Sequence, residues 1–121
     1  MFRLALSSLV VAGLAAVLFL VPAWGKSTGL VGEVGPGFSV EVKTAAGKDV
    51  KTIKAGTYRI KVEDKATIHN FHLIGPGVNK KTGVSFKGET TWTIKLKPGR
   101  YTYQCDPHHL SGMQGHFKVT K

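Results

Sequence analysis

The amino-acid sequence predicts an all-β domain, a β-sandwich or small barrel, preceded by an export leader. Two observations predict the fold. Apolar and polar residues alternate with a period of two through much of residues 26–121, and turns that contain Gly and Pro separate the alternating runs. Short strands joined by such turns are typical of sandwiches and small barrels. No stretch after residue 25 has a helical period.

The first 25 residues have a different composition. Arg3 precedes an uncharged run, residues 4–21, and small residues stand at Ala23 and Gly25. These are the charged region, the apolar region and the cleavage site of a secretory signal peptide. We therefore predict export, to the periplasm or out of the cell, with residues 1–25 removed. Because the run is also just long enough to span a bilayer, an uncleaved membrane anchor is the alternative.

Residues 26–121 are predicted to form one domain, since a chain of this length buries enough surface for a core without disulfides. Four alternating runs supply the predicted core face. The apolar residues on it are Phe38, Val40 and Val42; Tyr58, Ile60 and Val62; Trp92, Ile94 and Leu96; and Phe117 and Val119.

Basic residues outnumber acidic ones in this domain. Arg3 is the one basic residue of the leader, so residues 26–121 carry 16 Lys and Arg against 7 Asp and Glu, a formal net charge of +9. The basic residues are scattered and mostly alternate with apolar ones, which is typical of the solvated face of a sheet, and no aromatic platform accompanies them. The pattern argues against a nucleic-acid site. It is compatible with two kinds of partner: a protein with an acidic docking patch, or an anionic membrane surface.

The sequence has a single cysteine, Cys105. Exported proteins usually place their cysteines in disulfide pairs, and an unpaired thiol in an oxidising compartment is open to damage. Cys105 therefore has one of two roles: it ligates a metal, or it packs as an inert thiol in the core.

Around Cys105 the sequence gathers soft metal ligands. Tyr101, Tyr103 and Cys105 alternate after a Pro-Gly turn, so they are predicted to share the core face of a strand that ends at the cysteine. The loop that follows offers His108 and Met113. A thiolate, an imidazole and a thioether select copper over Mg, Ca or Mn. A trigonal site of two His and one Cys with a weak axial Met is the blue-copper arrangement, and it requires a second His from elsewhere.

His69 is the candidate for that second imidazole. It alternates with Phe71 and Leu73, whose side chains are expected in the core, whereas His72 alternates with Asn70 on the opposite face. A buried imidazole without a metal needs hydrogen-bond partners at both nitrogens, so taken alone this residue would be interpreted as a structural histidine. The neighbouring cysteine loop favours a ligand instead.

Two segments resemble those of a known family. Cys105-x2-His108-x4-Met113, preceded by Tyr-x-Tyr-x and followed by Gly-x-x-x-Val, resembles the C-terminal copper loop of the cupredoxins plastocyanin and pseudoazurin. His69-Asn70, followed by an aromatic residue, resembles the segment that supplies their first copper ligand. The similarity extends over residues 26–121 in strand order, and it is specific at these two segments.

The resemblance implies a Greek-key β-sandwich with one copper ion buried at one end. It implies that His69, Cys105 and His108 form a trigonal plane and that Met113 is a long axial ligand. It further implies that Asn70 ties the two ligand loops together by hydrogen bonds. After the cysteine, many family members have a hydroxyl residue, whereas this chain has an aspartate, residue 106, which can also accept a hydrogen bond from an amide.

In such a loop His108 would lie nearest the surface, so its imidazole edge is the expected exit for the electron. The candidates for an apolar docking patch around it are Pro36, Pro107, Leu110 and Gly112.

The remaining histidines are weaker candidates. His109 would give the spacing Cys-x3-His-x3-Met, which matches cupredoxin loops less well, so we favour His108. We assign His72 and His116 to solvent, the latter because it alternates with the apolar Phe117.

The expected function is that of an exported one-electron carrier between redox partners. The alternative within the same fold is copper delivery, storage or resistance; a single buried thiolate favours the carrier, because transfer proteins usually need exposed, exchangeable ligands. We expect no enzyme, since five histidines and 96 residues cannot supply the further sites of a multicopper oxidase. A zinc site of one Cys and three His would leave Met113 without a role. We expect a monomer that contacts a membrane only if its leader is retained.

Overall fold

The structure, a computed structural model, describes residues 28–121. This part of the chain contains nine β-strands and one 3₁₀ helix, joined by turns and loops. The strands are β1 (Thr28–Val34), β2 (Val40–Thr44), β3 (Thr52–Lys54), β4 (Gly56–Asp64), β5 (His72–Gly75), β6 (Val78–Lys81), β7 (Gly88–Leu96), β8 (Gly99–Gln104) and β9 (Gln114–Thr120). The predicted leader lies outside the described residues. Within residues 28–121, no helix is long and apolar enough to cross a membrane.

The strands form two sheets. One has four strands in the order β2-β1-β4-β7, and the other has five in the order β3-β9-β8-β5-β6. β1 pairs in parallel with β4, and β3 pairs in parallel with β9; the other pairings are antiparallel. The chain passes repeatedly from one sheet to the other, for example between β4 and β5 and between β7 and β8. The predicted all-β Greek-key sandwich is confirmed.

The core lies between the two sheets because the strands alternate as predicted. In β4, Tyr58, Ile60 and Val62 are buried while the residues between them are not. Of the predicted positions in β7 and β9, Ile94, Leu96, Phe117 and Val119 are buried, and Trp92 is partly buried against the core. Removing a side chain of this size from water contributes about 1.5 to 3 kcal/mol, so these faces account for the pairing of the two sheets.

Tyr101 fixes the position of the strand that leads to the cysteine. Its ring is fully buried and stacks on Phe117, with 5.3 Å between the ring centroids. Its hydroxyl accepts a hydrogen bond from the Lys97 amide at 2.9 Å and lies 3.0 Å from the Pro76 carbonyl oxygen. These contacts join the turn before β8 to the turn after β5. They hold β8, and therefore Cys105 at its end, in a defined place.

One predicted core residue is not in the core. Phe38 was expected on the buried face with Val40 and Val42, but its side chain is 66% exposed. The reason is that strand alternation begins only at Val40, since the residues before it form a loop closed by a hydrogen bond from the Gly35 amide to the Ser39 carbonyl at 2.9 Å. Parity along the chain does not continue through such a loop.

Candidate metal centre

His69 reaches the end of the sandwich from the segment between β4 and β5. The chain turns at residues 67–68, and His69 and Phe71 are both fully buried. The loop after β1 lies directly against the imidazole: a Cβ added to Gly35 would come within 3.0 Å of His69 Cδ2. Gly35 also has a φ of 74°, a conformation that side-chain-bearing residues rarely adopt. A glycine is therefore required where this loop passes the imidazole.

The second segment is a short loop from Cys105, at the end of β8, to Met113, at the start of β9. The amide of His108 donates to the Cys105 carbonyl at 3.2 Å, and the Cys105 amide donates to the Met113 carbonyl at 3.1 Å. A 3₁₀ helix over His109–Ser111 lies between them and ends at Gly112, which has a φ of 100°. The backbone therefore closes the loop on itself and limits how far its side chains can move.

Three donor atoms converge where these two segments meet. The Nδ1 atoms of His69 and His108 are 3.0 Å apart, and the Cys105 sulfur lies 3.7 Å from the first and 3.4 Å from the second. A triangle with these sides has a circumradius of about 2.0 Å, which is the length of a metal–imidazole bond. The three donors are therefore spaced to hold one metal ion, and a set of one thiolate and two imidazoles suits copper.

Met113 and His109 take different places around this cluster. Met113 is fully buried, and its amide donates to the His108 carbonyl at 3.3 Å, so its thioether is carried by the same loop. His109 has its Nδ1 atom 2.8 Å from the Asp106 carbonyl oxygen and is not among the converging residues. Of the two alternatives in the sequence, the structure brings His108 to the cysteine.

Asn70 joins the two ligand segments, as the family resemblance implied. Its Oδ1 atom accepts a hydrogen bond from the Asp106 amide at 2.7 Å, and its Nδ2 group donates to Asp106 Oδ2 at 2.9 Å. The same Nδ2 group lies 3.3 Å from the Thr82 carbonyl oxygen. Since Asn70 follows His69 and Asp106 follows Cys105, these bonds fix the separation of two of the donors.

His72 does not face solvent, and the prediction that it does is wrong. Its side chain is only 14% exposed, with Nδ1 at 2.7 Å from Asp106 Oδ1 and Nε2 at 2.6 Å from Asn79 Oδ1. The pairing of β5 with β8 places it there, because its register partner is Gln104. His116 is exposed, as predicted.

The Asp106 carboxylate is the centre of this polar cluster. Partial burial alone would raise its pKa, but hydrogen bonds from Gln104, Asn70 and His72, together with the charge of His72, outweigh that effect and lower the pKa to about 2. Asp106 is therefore ionised at neutral pH and places a fixed negative charge next to the cysteine.

Phe38 is the site residue that the sequence prediction missed. Its ring meets both imidazoles edge to face, with centroid distances of 5.4 Å to His69 and 5.0 Å to His108. Because the ring is mostly exposed, it forms a lid between the two histidines and solvent. The Gly-Pro-Gly sequence just before it was the available signal, since such a turn commonly ends strand alternation.

The surface around the site is apolar. Phe38, Ile68 and Leu110 are exposed, the last at 92%. The four residues proposed from the sequence for a docking patch are exposed as well: Pro36, Pro107, Leu110 and Gly112. Among the three converging donors, only His108 is partly exposed. We call the surface formed by these exposed apolar residues around the three donors the apolar rim.

Comparison with known proteins agrees with this geometry. Residues 39–120 match the family model described as copper binding proteins, plastocyanin/azurin family. The fold resembles reduced rusticyanin, with 27% identity, a TM-score of 0.58, and coverage of 79% of this chain and 81% of that chain. It also resembles rusticyanin from Thiobacillus ferrooxidans, with 27% identity, a TM-score of 0.56 and 79% coverage of each chain.

A third similar structure supports the fold alone. It is dithionite-reduced auracyanin from Roseiflexus castenholzii, with 20% identity, a TM-score of 0.54, and coverage of 80% of this chain and 100% of that chain. The family model covers well over half of the chain and includes the cysteine loop and the first histidine. The chain therefore belongs to the plastocyanin/azurin family of copper-binding proteins, the cupredoxins, which carry electrons on a single copper ion.

Proposed function

We propose that this protein is an exported one-electron carrier that binds one copper ion, which His69, Cys105, His108 and Met113 would hold. The observation that carries the proposal is the convergence of two Nδ1 atoms and one buried sulfur, none more than 3.7 Å from another. The soft donor set and the family membership support copper as the ion.

When bound, copper supplies the Cu(I)/Cu(II) couple. The chain's own residues keep the donors in place in both oxidation states. The two hydrogen bonds between Asn70 and Asp106 hold the cysteine segment against the first histidine, and the backbone bonds of the loop hold His108 and Met113. Small rearrangement on gain or loss of an electron favours fast exchange, which is the requirement for a carrier.

We expect the redox partner to dock on the apolar rim, where His108 supplies the partly exposed donor. Exposed lysines at the same end of the sandwich would meet acidic residues of such a partner; they are Lys65, Lys81 and Lys87. In this proposal the protein acts as a monomer, has no catalytic activity of its own and does not bind nucleic acid. Reduction by the partner should then slow as salt is added, because salt screens surface charges beyond about 10 Å at 0.1 M.

The test is a titration of the metal-free protein with Cu(II), followed by visible spectroscopy. We expect an intense blue thiolate-to-copper band that saturates at one equivalent. Cys105→Ser should abolish the band, whereas His109→Gln, a change in the same loop but outside the donor cluster, should leave it intact. A band that survives the serine variant, or is lost in the glutamine variant, contradicts the ligand assignment.

A second measurement separates the carrier from copper delivery, storage or resistance. The copper-loaded protein is mixed with a small-molecule redox couple and, separately, with a Cu(I) chelator. A carrier exchanges electrons rapidly and releases copper slowly. Fast release to the chelator, with slow electron exchange, would favour copper handling, and tighter binding of Zn than of copper would exclude both.

We also propose that residues 1–25 are a signal peptide and that residues 26–121 form the exported domain. The apolar run and the small residues at 23 and 25 support this proposal. The intact mass of the protein recovered from an exporting host tests it. We expect the mass of a chain that begins at Lys26. The mass of a chain that still has its leader would show a membrane anchor.

A further inference from the structure

The charges of this domain are segregated along the long axis of the sandwich. At the end opposite the metal centre, β1 begins and β2, β7 and β9 end: Leu30 pairs with Thr44, and Gly56 with Leu96. We call this the far end. Its exposed basic residues come from both sheets: Lys48, Lys51, Lys54, Arg59, Lys95, Lys97, Arg100, Lys118 and Lys121. Among the described residues of that end, Asp49 is the one acid.

Of the six lysines of residues 28–121 outside that list, three have an acidic partner. Lys43, Lys61 and Lys65 form ion pairs with glutamates of the four-stranded sheet, at distances of 3.0 to 3.8 Å. Those glutamates lie toward the metal end of their strands, where Glu33 pairs in register with Glu41 and Glu63. The far end therefore carries most of the net positive charge of the described chain.

Like charges are directly opposed within the far end. Arg100 in β8 and Lys118 in β9 are register partners, and the Lys118 amide donates to the Lys51 carbonyl at 2.9 Å, which brings a third cation alongside. A groove on this side is lined by Lys51, Gly99, Arg100, His116, Phe117 and Lys118. Like charges directly opposite each other on neighbouring strands are destabilising, and an anionic surface would relieve this repulsion.

Within residues 28–121, the far end also lacks the apolar centre of a protein interface. Five large apolar side chains of the described chain are exposed. Four of them belong to loops at the metal end, namely Phe38, Ile68, Val84 and Leu110, and Ile74, at 37% exposure, lies toward the far end. Specific protein interfaces have an apolar core within a polar rim. A cationic end without such a core suits a diffuse array of anions, such as phospholipid headgroups.

The point at which the chain enters the domain agrees with this interpretation. The apolar run of residues 4–21 ends seven residues before Thr28, and Thr28 pairs with Tyr58 near the far end. Seven residues span at most about 25 Å. If the leader is retained, Thr28 at the far end stays within about 25 Å of the bilayer. If the leader is removed, the cations still attract the same surface.

We propose that the far end binds an anionic phospholipid membrane and thereby points the apolar rim away from the membrane. The proposal goes beyond electron transfer and does not depend on copper. A basic residue next to an anionic membrane strengthens binding about fivefold. Three such residues together therefore account for about a hundredfold in affinity.

The test uses residues 26–121, which include both sheets and every core residue of the described chain, after a single cooperative thermal transition has shown that they fold alone. Binding is measured by co-sedimentation with vesicles of phosphatidylcholine, with and without phosphatidylglycerol. The variant K97Q/R100Q/K118Q neutralises the far end. The matched control K65Q/K81Q/K87Q removes the same charge from the metal end.

We expect binding only to vesicles with phosphatidylglycerol, a loss of about a hundredfold in the far-end variant, and a much smaller loss in the control. Acetylation of lysines on the vesicle-bound protein gives the orientation: Lys54, Lys97 and Lys118 should be protected, while Lys65, Lys81 and Lys87 stay reactive. Equal losses in the two variants, or protection of the metal end, would overturn the proposal. Absence of vesicle binding would also overturn it. If the protein bound an acidic protein and no vesicles, the far end would be a protein-docking surface.

Discussion

Asn70 and Asp106 are joined by a reciprocal pair of hydrogen bonds, in which each residue donates once and accepts once, at 2.7 and 2.9 Å. The two residues are 36 positions apart in the sequence, and each follows a donor of the metal cluster. Asn70 is 2% exposed, so bulk water cannot take the place of Asp106 as its partner, whereas the Asp106 side chain is 32% exposed. This pair is the main polar link between the two segments that form the site.

Replacing Asn70 with alanine should therefore weaken both the fold and the site. The partly buried Asp106 amide would lose its partner. Leaving a fully buried donor without one costs about 1 to 3 kcal/mol, so the loss here should lie toward the lower end of that range. Urea denaturation of the metal-free Asn70→Ala protein measures that loss. The copper-loaded variant should also show a shifted or weakened blue band, because the separation of the donors is no longer fixed.

The matched control is Asn79→Ala. Asn79 is exposed and bonds His72 at 2.6 Å, on the outer side of the same cluster. We expect the Asn79→Ala substitution to lower the free energy of unfolding by about 0.5 kcal/mol or less and to leave the blue band unchanged. If the two variants had the same effect on the band, Asn70 would not be the link that positions the donors.

The sequence predicts those features that depend on local pattern. Period-two alternation identifies the core faces of β4, β7 and β9, because side-chain direction in a strand follows from the position of each residue along it. The soft donors could be identified for a similar reason, since Cys105, His108 and Met113 lie close together in one loop.

Features that depend on pairing between distant strands were not predictable. His72 meets Asp106 across 34 residues, and nothing in the sequence around either one shows that β5 and β8 are neighbours. Phe38 was misplaced because alternation was extended through a loop that breaks it. The segregation of charge likewise becomes visible only when the register brings Lys118 opposite Arg100.

Gly35 should be intolerant of alanine for two separable reasons. Its φ of 74° costs roughly 1 to 2 kcal/mol for a residue with a side chain, and the added methyl would press on the His69 ring at 3.0 Å. We expect Gly35→Ala to lower both the free energy of unfolding and the affinity for copper. Thermal denaturation and competition with a copper chelator measure the two effects.

Two other glycines serve as controls for Gly35. Gly47 has a φ of 82° but open space around its Cβ position, so Gly47→Ala should lower stability by a similar conformational cost and leave copper affinity unchanged. Gly37 has open space and no left-handed φ, so Gly37→Ala should change neither. Reduced copper affinity in the Gly47 variant would show that backbone strain, not contact with the imidazole, is responsible.

Phe38→Ala should change the metal centre more than the fold. The ring is mostly exposed, so its loss should alter the free energy of unfolding by about 0.5 kcal/mol or less. Water would then reach both imidazoles, and a more polar surrounding stabilises the higher charge of Cu(II). We therefore expect a lower reduction potential, measured by voltammetry on the copper-loaded protein.

Leu110→Ala is the control for the lid, because Leu110 belongs to the same apolar rim and is 92% exposed. It should slow electron exchange with the redox partner without changing the potential. If both substitutions shifted the potential equally, the effect would come from the apolar surface as a whole and not from the ring over the two histidines.

Because of Asp64, the free energy of unfolding should fall as pH rises through the raised pKa of its carboxyl group. It is 2% exposed, and burial raises its pKa above the ordinary value of 3.8, against the opposing effects of a hydrogen bond from the Ala66 amide and the charge of His69. The folded state therefore holds the proton more tightly than the unfolded state. Its stabilising contribution is complete below pH 3.8 and is lost as pH rises through the raised pKa.

Asp64→Asn removes this titration. The difference in free energy of unfolding, variant minus parent, should increase as pH rises from about 3 through the raised pKa and then stay constant, because the parent alone must ionise a buried carboxyl. Urea denaturation of the metal-free proteins across this range gives the difference directly, and other carboxylates cancel because both proteins contain them. A difference that is independent of pH, or that decreases as pH rises, would mean that the Asp64 carboxylate is well solvated or paired in the folded state.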